Sequence, residues 1–398
     1  MKQKLIVHII ILLFTLMYSA EVAAEKTSAD REDVYSVLDD YAAFYGEIFE
    51  DGIDEIDDGN SFLNMLPEFK ASDILKGFNN GEVAFTPKQL LEYFLRLLLG
   101  EIYSAAKLMA VILAMAVLSS YLSGLKSGFG ENSVSTAAFY VCYIVTAGIA
   151  ATVFYDTANC AADAVENVAL FMKIIVPSVM VLLMTSGATI SATVLEPTML
   201  AIVEIVVPIV QYIFIPAVMI STALNIVNGM SDKFKTDRMV KLLNSVVKWG
   251  LSVMLTIFVS LAGLKSIASA GADGLTIKLS KFAASNLVPM VGGILAESVE
   301  TVMNCSVVIK NSVGILGIIC LVLIALRPVL KLGAILILFR LTAAVAEPVS
   351  EPKLINCISR LADSVAVLFS IVVAVTVMFI IVVTILINAG NSAVMFGG

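Results

Sequence analysis

Long apolar runs separated by short polar interruptions occupy most of the chain. After residue 101 the runs are 102–124, 134–155, 168–187, 198–227, 245–263, 282–296, 307–326, 329–346 and 362–388. Many of them reach the ~20 residues a helix needs to cross a bilayer. The pattern predicts an all-α polytopic membrane protein with seven or eight transmembrane helices. Residues 282–296 are short for a span and enclose Pro289, Gly292 and Gly293, which suits a broken or re-entrant segment. Residues 198–227 are long and carry Pro208 and Pro216, so they predict either one kinked helix or two half-helices.

The start of the chain has a different pattern. Lys2 and Lys4 precede an apolar stretch over residues 5–17, and Val22, Ala23 and Ala24 place small residues where a signal peptidase cuts. Cleavage is expected after Ala24, leaving the following segment outside the cytoplasm. The alternative is an uncleaved anchor, for which residues 5–20 are short.

Residues 25–100 then hold 17 acids against 6 bases, net −11, whereas residues 101–398 carry a net +2. This predicts a small acidic, helical, extracytoplasmic domain. Val34, Leu38, Tyr41, Tyr45 and Ile48 fall on one helical face, which serves either a partner or the neighbouring helices and membrane surface. The acids Asp51, Asp54, Glu55, Asp57 and Asp58 invite a calcium reading. With Gly59 at the sixth loop position, however, the third and twelfth fall on Ile56 and Met65, which cannot ligate. Thr86, Pro87, Lys88 and Gln89 form a capping box with proline at the first helical position, opening an amphipathic helix that feeds the first span.

Self-comparison suggests a parallel internal duplication. Residues 122–127 (LSGLKS) recur as 261–266 (LAGLKS), and 162–168 (ADAVENV) recur as 296–302 (AESVETV). The domain plan is therefore signal 1–24, acidic domain 25–100, transmembrane repeat A 101–230 and repeat B 231–398. Equivalent elements of parallel repeats lie on the same side of the membrane. An exported residue 25 puts Lys126 inside, and with it Lys265, Lys278 and Lys281, as bases should be. The same count leaves Lys233, Lys235, Arg238 and Lys241 outside, unless residues 198–227 form a hairpin that changes the parity.

Composition narrows the chemistry. The chain is 59% apolar and 15% charged with a mean hydropathy of +0.95, too little charge for a soluble globule of 398 residues. The one histidine, His8, lies in the first apolar run, so if that run is a removed signal, histidine triads and histidine zinc sites are excluded from the mature chain. The five cysteines, Cys142, Cys160, Cys305, Cys320 and Cys357, contain no C-x-x-C pair and predict neither a disulfide framework nor a metal cluster. A nucleotide loop, a zinc-protease motif and a nucleophile elbow are missing, so neither an enzyme nor a cofactor is expected and energy would come from a partner. An ionisable group at membrane depth is costly and faces protein or water. By position the candidates are Lys173 with Pro177, Glu204 with Pro208, Lys310 and Arg340, together with Pro289, Gly292 and Gly293. They read either as a polar pathway or intersubunit contact, or as snorkelling and structural pairs.

Residues 287–302 (LVPMVGGILAESVETV), 310–314 (KNSVG) and 171–177 (FMKIIVP) resemble the stage III sporulation protein AE family of endospore-forming bacteria. The resemblance covers essentially the whole chain. It implies a subunit of a complex made in the mother cell and placed in the outer of the two membranes around the engulfed forespore. Residues 25–100 would then face the intermembrane space. The implied partners are a cytoplasmic secretion-type ATPase, ring-forming proteins and a forespore-made protein across that space, with no nucleic acid, and an oligomer is expected. The implied role is a channel that supports forespore development and late gene expression. Two function classes remain: an export-gate-like or pore-forming subunit that works only in the assembly, and an autonomous permease with a solute site at the repeat interface near Pro208, Pro289, Gly292 and Gly293.

Overall fold

The computed structural model describes residues 87–124, 133–230, 236–287 and 292–397. The signal, most of the acidic domain, the acid run at 51–58, Thr86 of the capping box and Pro289 lie outside the described residues. Every described element is helical: α1 Pro87–Gly124, α2 Ser133–Thr185, α3 Thr189–Ile209, a π-helical turn Val210–Phe214, α4 Ile215–Met230, α5 Asp237–Leu287, α6 Gly292–Ala346 and α7 Pro352–Gly397. α1 begins at Pro87, the first helical position that the capping pattern marks. α3, the π turn and α4 form one continuous rod, so the described residues form six rods, each with an apolar stretch long enough to cross a membrane.

The rods are longer than the sequence pattern predicts. Runs 134–155 and 168–187 are both parts of α2, and runs 307–326 and 329–346 are both parts of α6. The polar stretch 156–167 continues as helix because it holds neither proline nor glycine and is rich in alanine. Pro177 and Pro328 lie inside α2 and α6 without ending them. A helix of 53 residues is about 80 Å long, more than twice a hydrocarbon core of about 30 Å. Residues 282–287 finish α5 and 292–296 start α6, so the described parts of this stretch belong to two rods, and residues 288–291 lie outside the described residues. Residues 198–227 form a single rod, with the π turn lying between Pro208 and Pro216, as expected where the i→i−4 ladder is interrupted.

Cross-rod contacts give the directions. Glu166 with Gln211, and Lys173 with Glu204, make α2 antiparallel to the third rod. Asp273 with Ser191, Gly250 with Phe214, and Asn228 with Asp237 make α5 antiparallel to that rod in turn. Lys310 with Asn391, Gly314 with Ile387, and Arg340 with Asp363 do the same for α6 and α7. α1 runs parallel to α6, through Glu101 with Arg327 and Ala116 with Ser350. The order is therefore up and down throughout. α2 and α6, which hold the second repeated motif, run in opposite directions, since Gly187 lies against Met303 and Gly317 against Ile175. A parallel duplication would give them the same direction, so the arrangement corrects the parallel-repeat reading.

α2 ends in a tight C-cap. Gly187 has φ 86°, its N–H bonds Met184 O at 3.0 Å and the N–H of Ala188 bonds Leu183 O at 3.1 Å, the paired bonds of a Schellman ending. α7 is the central rod, packed against α6, α5, α2 and α4. Val365, Leu368, Ile371, Phe379, Val383 and Leu386 on it are completely buried. α5 is the least buried rod and carries exposed Leu242, Val246, Trp249, Ile257, Leu261 and Leu264.

Candidate functional site: a polar track on the outside of the bundle

Lys173 and Glu204 come together across α2 and α3, with Nζ 2.6 Å from Oε1. The pair lies on the outer surface, the side chains being 46% and 63% exposed. Each residue stands four positions before a proline, Pro177 and Pro208. Proline has no N–H, so the carbonyls of Lys173 and Glu204 lose their helical donors on both sides of the ion pair. One helical level further along, Gln211 in the π turn donates from Nε2 to Glu166 at 3.2 Å. Lys265 of α5 donates to Thr198 Oγ1 at 2.7 Å on the other flank of α3.

The exposed stripe of α2 extends this patch. Thr152, Asp156, Asn159, Asp163, Glu166 and Lys173 recur at helical spacing and are exposed or nearly so. Asp156 and Asp163 form no ion pair among the described residues, although Lys331 of α6 lies within electrostatic reach of Asp163. Above and below, the same stripe is apolar, with Val141, Ile144 and Val145 at one end and Val181 and Met184 at the other. A polar track therefore crosses the middle of an apolar surface. Charge in that position calls for protein or water opposite it rather than lipid chains.

The other predicted residues lie elsewhere. Lys310 is wholly buried between α6 and α7, where Nζ donates to Ile387 O at 2.6 Å and to Asn391 Oδ1 at 3.1 Å. Arg340 donates from Nη2 to Asp363 Oδ1 at 2.9 Å across the same hairpin, both side chains more than half exposed. Gly292 and Gly293 open α6, and Pro289 lies outside the described residues. The structure thus unites Lys173, Pro177, Glu204 and Pro208 in one patch and leaves Lys310 and Arg340 apart from it.

Two polar sites escape a reading by apolar runs. α3 starts at Ala188 with no capping side chain. Asp273, completely buried on α5, supplies the cap from another rod, its two carboxylate oxygens accepting the N–H groups of Ile190 and Ser191 at 2.8 Å each. A carboxylate at a helix N-terminus also meets the positive end of the helix dipole. At the opposite end of the bundle Arg360 of α7 binds Asp237 and Asn225, Asn228 donates to Asp237 at 2.8 Å, and Tyr143 donates to Ile226 O at 2.9 Å. This network ties α2, α4, α5 and α7 together. Among the described residues no three of His, Cys, Asp and Glu group as metal ligands.

Residues 69–390 match the family described as stage III sporulation protein AE. The chain belongs to this family. It is 28% identical over 377 residues to the stage III sporulation protein AE of Bacillus subtilis (strain 168), an alignment covering 95% of this chain and 90% of that relative. No solved structure matches the chain. Membership of the stage III AE family supports a role in sporulation, and its description names no reaction. The six apolar rods make this member a multi-pass membrane protein. Lys173 and Pro177 of the track belong to one of the stretches that carry the family resemblance, 171–177.

Proposed function

We propose that this chain is an integral membrane subunit of the channel or secretion-type complex through which the mother cell supports the forespore and its late gene expression. The observation that carries this reading is the family match over residues 69–390. The protein sits in the outer forespore membrane, and its residues 25–100 face the intermembrane space. Its partners are a cytoplasmic ATPase, ring-forming proteins and a forespore-made protein. The absence of a nucleotide loop from the whole sequence fits a subunit driven by another protein.

Rod direction supports this orientation. Merging runs 134–155 and 168–187 into one rod changes the parity that set Lys233, Lys235, Arg238 and Lys241 against the positive-inside rule. Residues 125–132, 231–236 and 347–351 now join rods at the same end, and Lys126, Lys233, Lys235, Arg238, Lys241 and Lys353 lie in or beside them by sequence. That basic end faces the cytoplasm of the mother cell, while Lys278 and Lys281, near the far end of α5, fall on the outer side, the reverse of the placement that the parallel repeat gave them. α1 starts at the other end, which puts the acidic segment outside, in agreement with an exported N-terminus. An autonomous permease is less well supported. Lys173 and Glu204 point outward from the bundle instead of lining a cleft between its halves.

The test is the native mass and composition of the tagged protein, extracted in mild detergent from sporulating cells at the end of engulfment. A large assembly containing the ATPase and ring proteins is expected. A monomer or dimer that stays alone through purification would overturn the proposal, and solute flux into liposomes would become the next measurement.

A further inference from the structure

We infer that copies of this chain pack side by side, head to tail, with the acidic stripe of α2 on one copy against a basic, small-residue stripe of α5 on the next. The inference rests on reading the polar track as a protein contact. It does not require the other sporulation proteins.

On α5, Lys241, Ser245, Lys248, Ser252 and Thr256 are all exposed and follow one another at intervals of three or four residues, which sets them on a single face. The hydroxyls of Ser252 and Thr256 bond back to the carbonyls of Lys248 and Ser252 at 3.1 and 2.8 Å, leaving a smooth surface of small side chains. Such surfaces let helices in a membrane approach closely. Lys241 and Lys248 make no ion pair among the described residues, and they are seven positions apart, about 10 Å along the helix.

α2 presents the complement. Asp156 and Asp163 are also exposed and also seven positions apart. The heights agree through printed contacts: Gly250 lies against Phe214, three residues from the Gln211 that bonds Glu166. This puts Lys248 within about a turn of Asp163, and Lys241 within about a turn of Asp156. α2 and α5 also run in the same direction, so a rotation about an axis parallel to the rods brings acids to lysines in the same order. An exposed aromatic stands beside each stripe, Tyr155 on α2 at 52% and Trp249 on α5 at 69%, the residue types that anchor protein interfaces.

The two stripes cannot satisfy each other within one chain. α2 and α5 do not pack along their length, and α3 and α7 each pack against both. Complementary faces at two different places on a subunit make a heterologous contact, which generates a ring when the rotation closes. The occupant that fits the α2 stripe in sign, spacing, direction and height is therefore the α5 stripe of another copy.

The experiment uses the full chain expressed without its sporulation partners and purified in mild detergent, with native mass as the readout. The wild type is expected to be a trimer or larger. Asp156→Lys with Asp163→Lys, or Lys241→Glu with Lys248→Glu, should each reduce it to monomer, and the four changes together should restore the original mass. Asn159→Cys with Ser245→Cys, leaving every charge in place, should give under mild oxidation a ladder beyond dimer that the unaltered chain lacks. A monomeric wild type retaining anionic lipid would assign the lysines to headgroups and overturn the inference. So would a crosslink that stops at dimer, or a mass indifferent to both reversals. None of these results would bear on recovery of the ATPase and ring proteins from sporulating cells, so the two proposals fail separately.

Discussion

Lys310 and Asp273 are completely buried, whereas Lys173, Glu204, Arg340 and Asp363 are about half exposed, although all six lie in long apolar rods. The buried charges are held by neutral groups. Asp273 takes two backbone N–H groups, and Lys310 gives to a backbone carbonyl and an amide oxygen. The outer charges are held by opposite charges. The difference separates two roles: an interior charge that completes the hydrogen bonding of a helix is part of what keeps the bundle together, while an exposed pair contributes little to folding and is available to whatever touches the surface.

Four changes test this division, beginning with the largest effect. Asp273→Ala strips the cap from α3 and leaves two buried N–H groups without acceptors, so a loss of about 2–5 kcal/mol is expected. Asp273→Asn, which keeps one acceptor, should recover part of it. Thermal unfolding in detergent, followed by helicity, reads both, and a near-normal midpoint for the alanine variant would remove Asp273 from the structural class. Lys310→Met fills the same space without the charge. The Ile387 carbonyl lies within α7, whose own ladder can still serve it, so the cost should be smaller, about 1–3 kcal/mol by the same measurement.

Gly187→Ala disturbs the turn that sets the start of α3 beneath Asp273. The backbone there is left-handed and an added Cβ would run into the Met303 side chain, so destabilisation of about 1–2 kcal/mol is expected, partly relieved by Met303→Ala. Glu204→Gln should change stability by less than about 1 kcal/mol. Its effect should appear instead in assembly, with normal membrane insertion and a reduced yield of complex on native gels. A large stability loss from Glu204→Gln would show that the outer pair is structural after all.

Much of this was legible from the chain. Apolar runs identify the helices, and the spacing from Lys173 to Pro177 and from Glu204 to Pro208 marks both as unusual. That the two meet is not in the spacing, because the height at which antiparallel rods pair is fixed by the Gly187 turn and by packing. The polar stretch 156–167 reads as a connection between two spans, since each flanking run is already of bilayer length. Read as one helix, its Asp156, Asp163 and Glu166 fall on one face. Asp273 was invisible for a related reason: outside any apolar run it resembles a loop residue, and only the neighbouring rod reveals what it caps.

The central position of α7 has a consequence for biosynthesis. Five earlier rods are made first, yet the rod packed against α2, α4, α5 and α6 follows them in the chain. Until it emerges from the ribosome, the inward faces of α2 and α6, with Phe171, Ile175 and Leu321 among them, have no complete core to enter. The nascent protein must therefore wait in the membrane as a partly open sheaf of helices, exposed to insertion chaperones and proteases, and close only when its last rod slides into the middle.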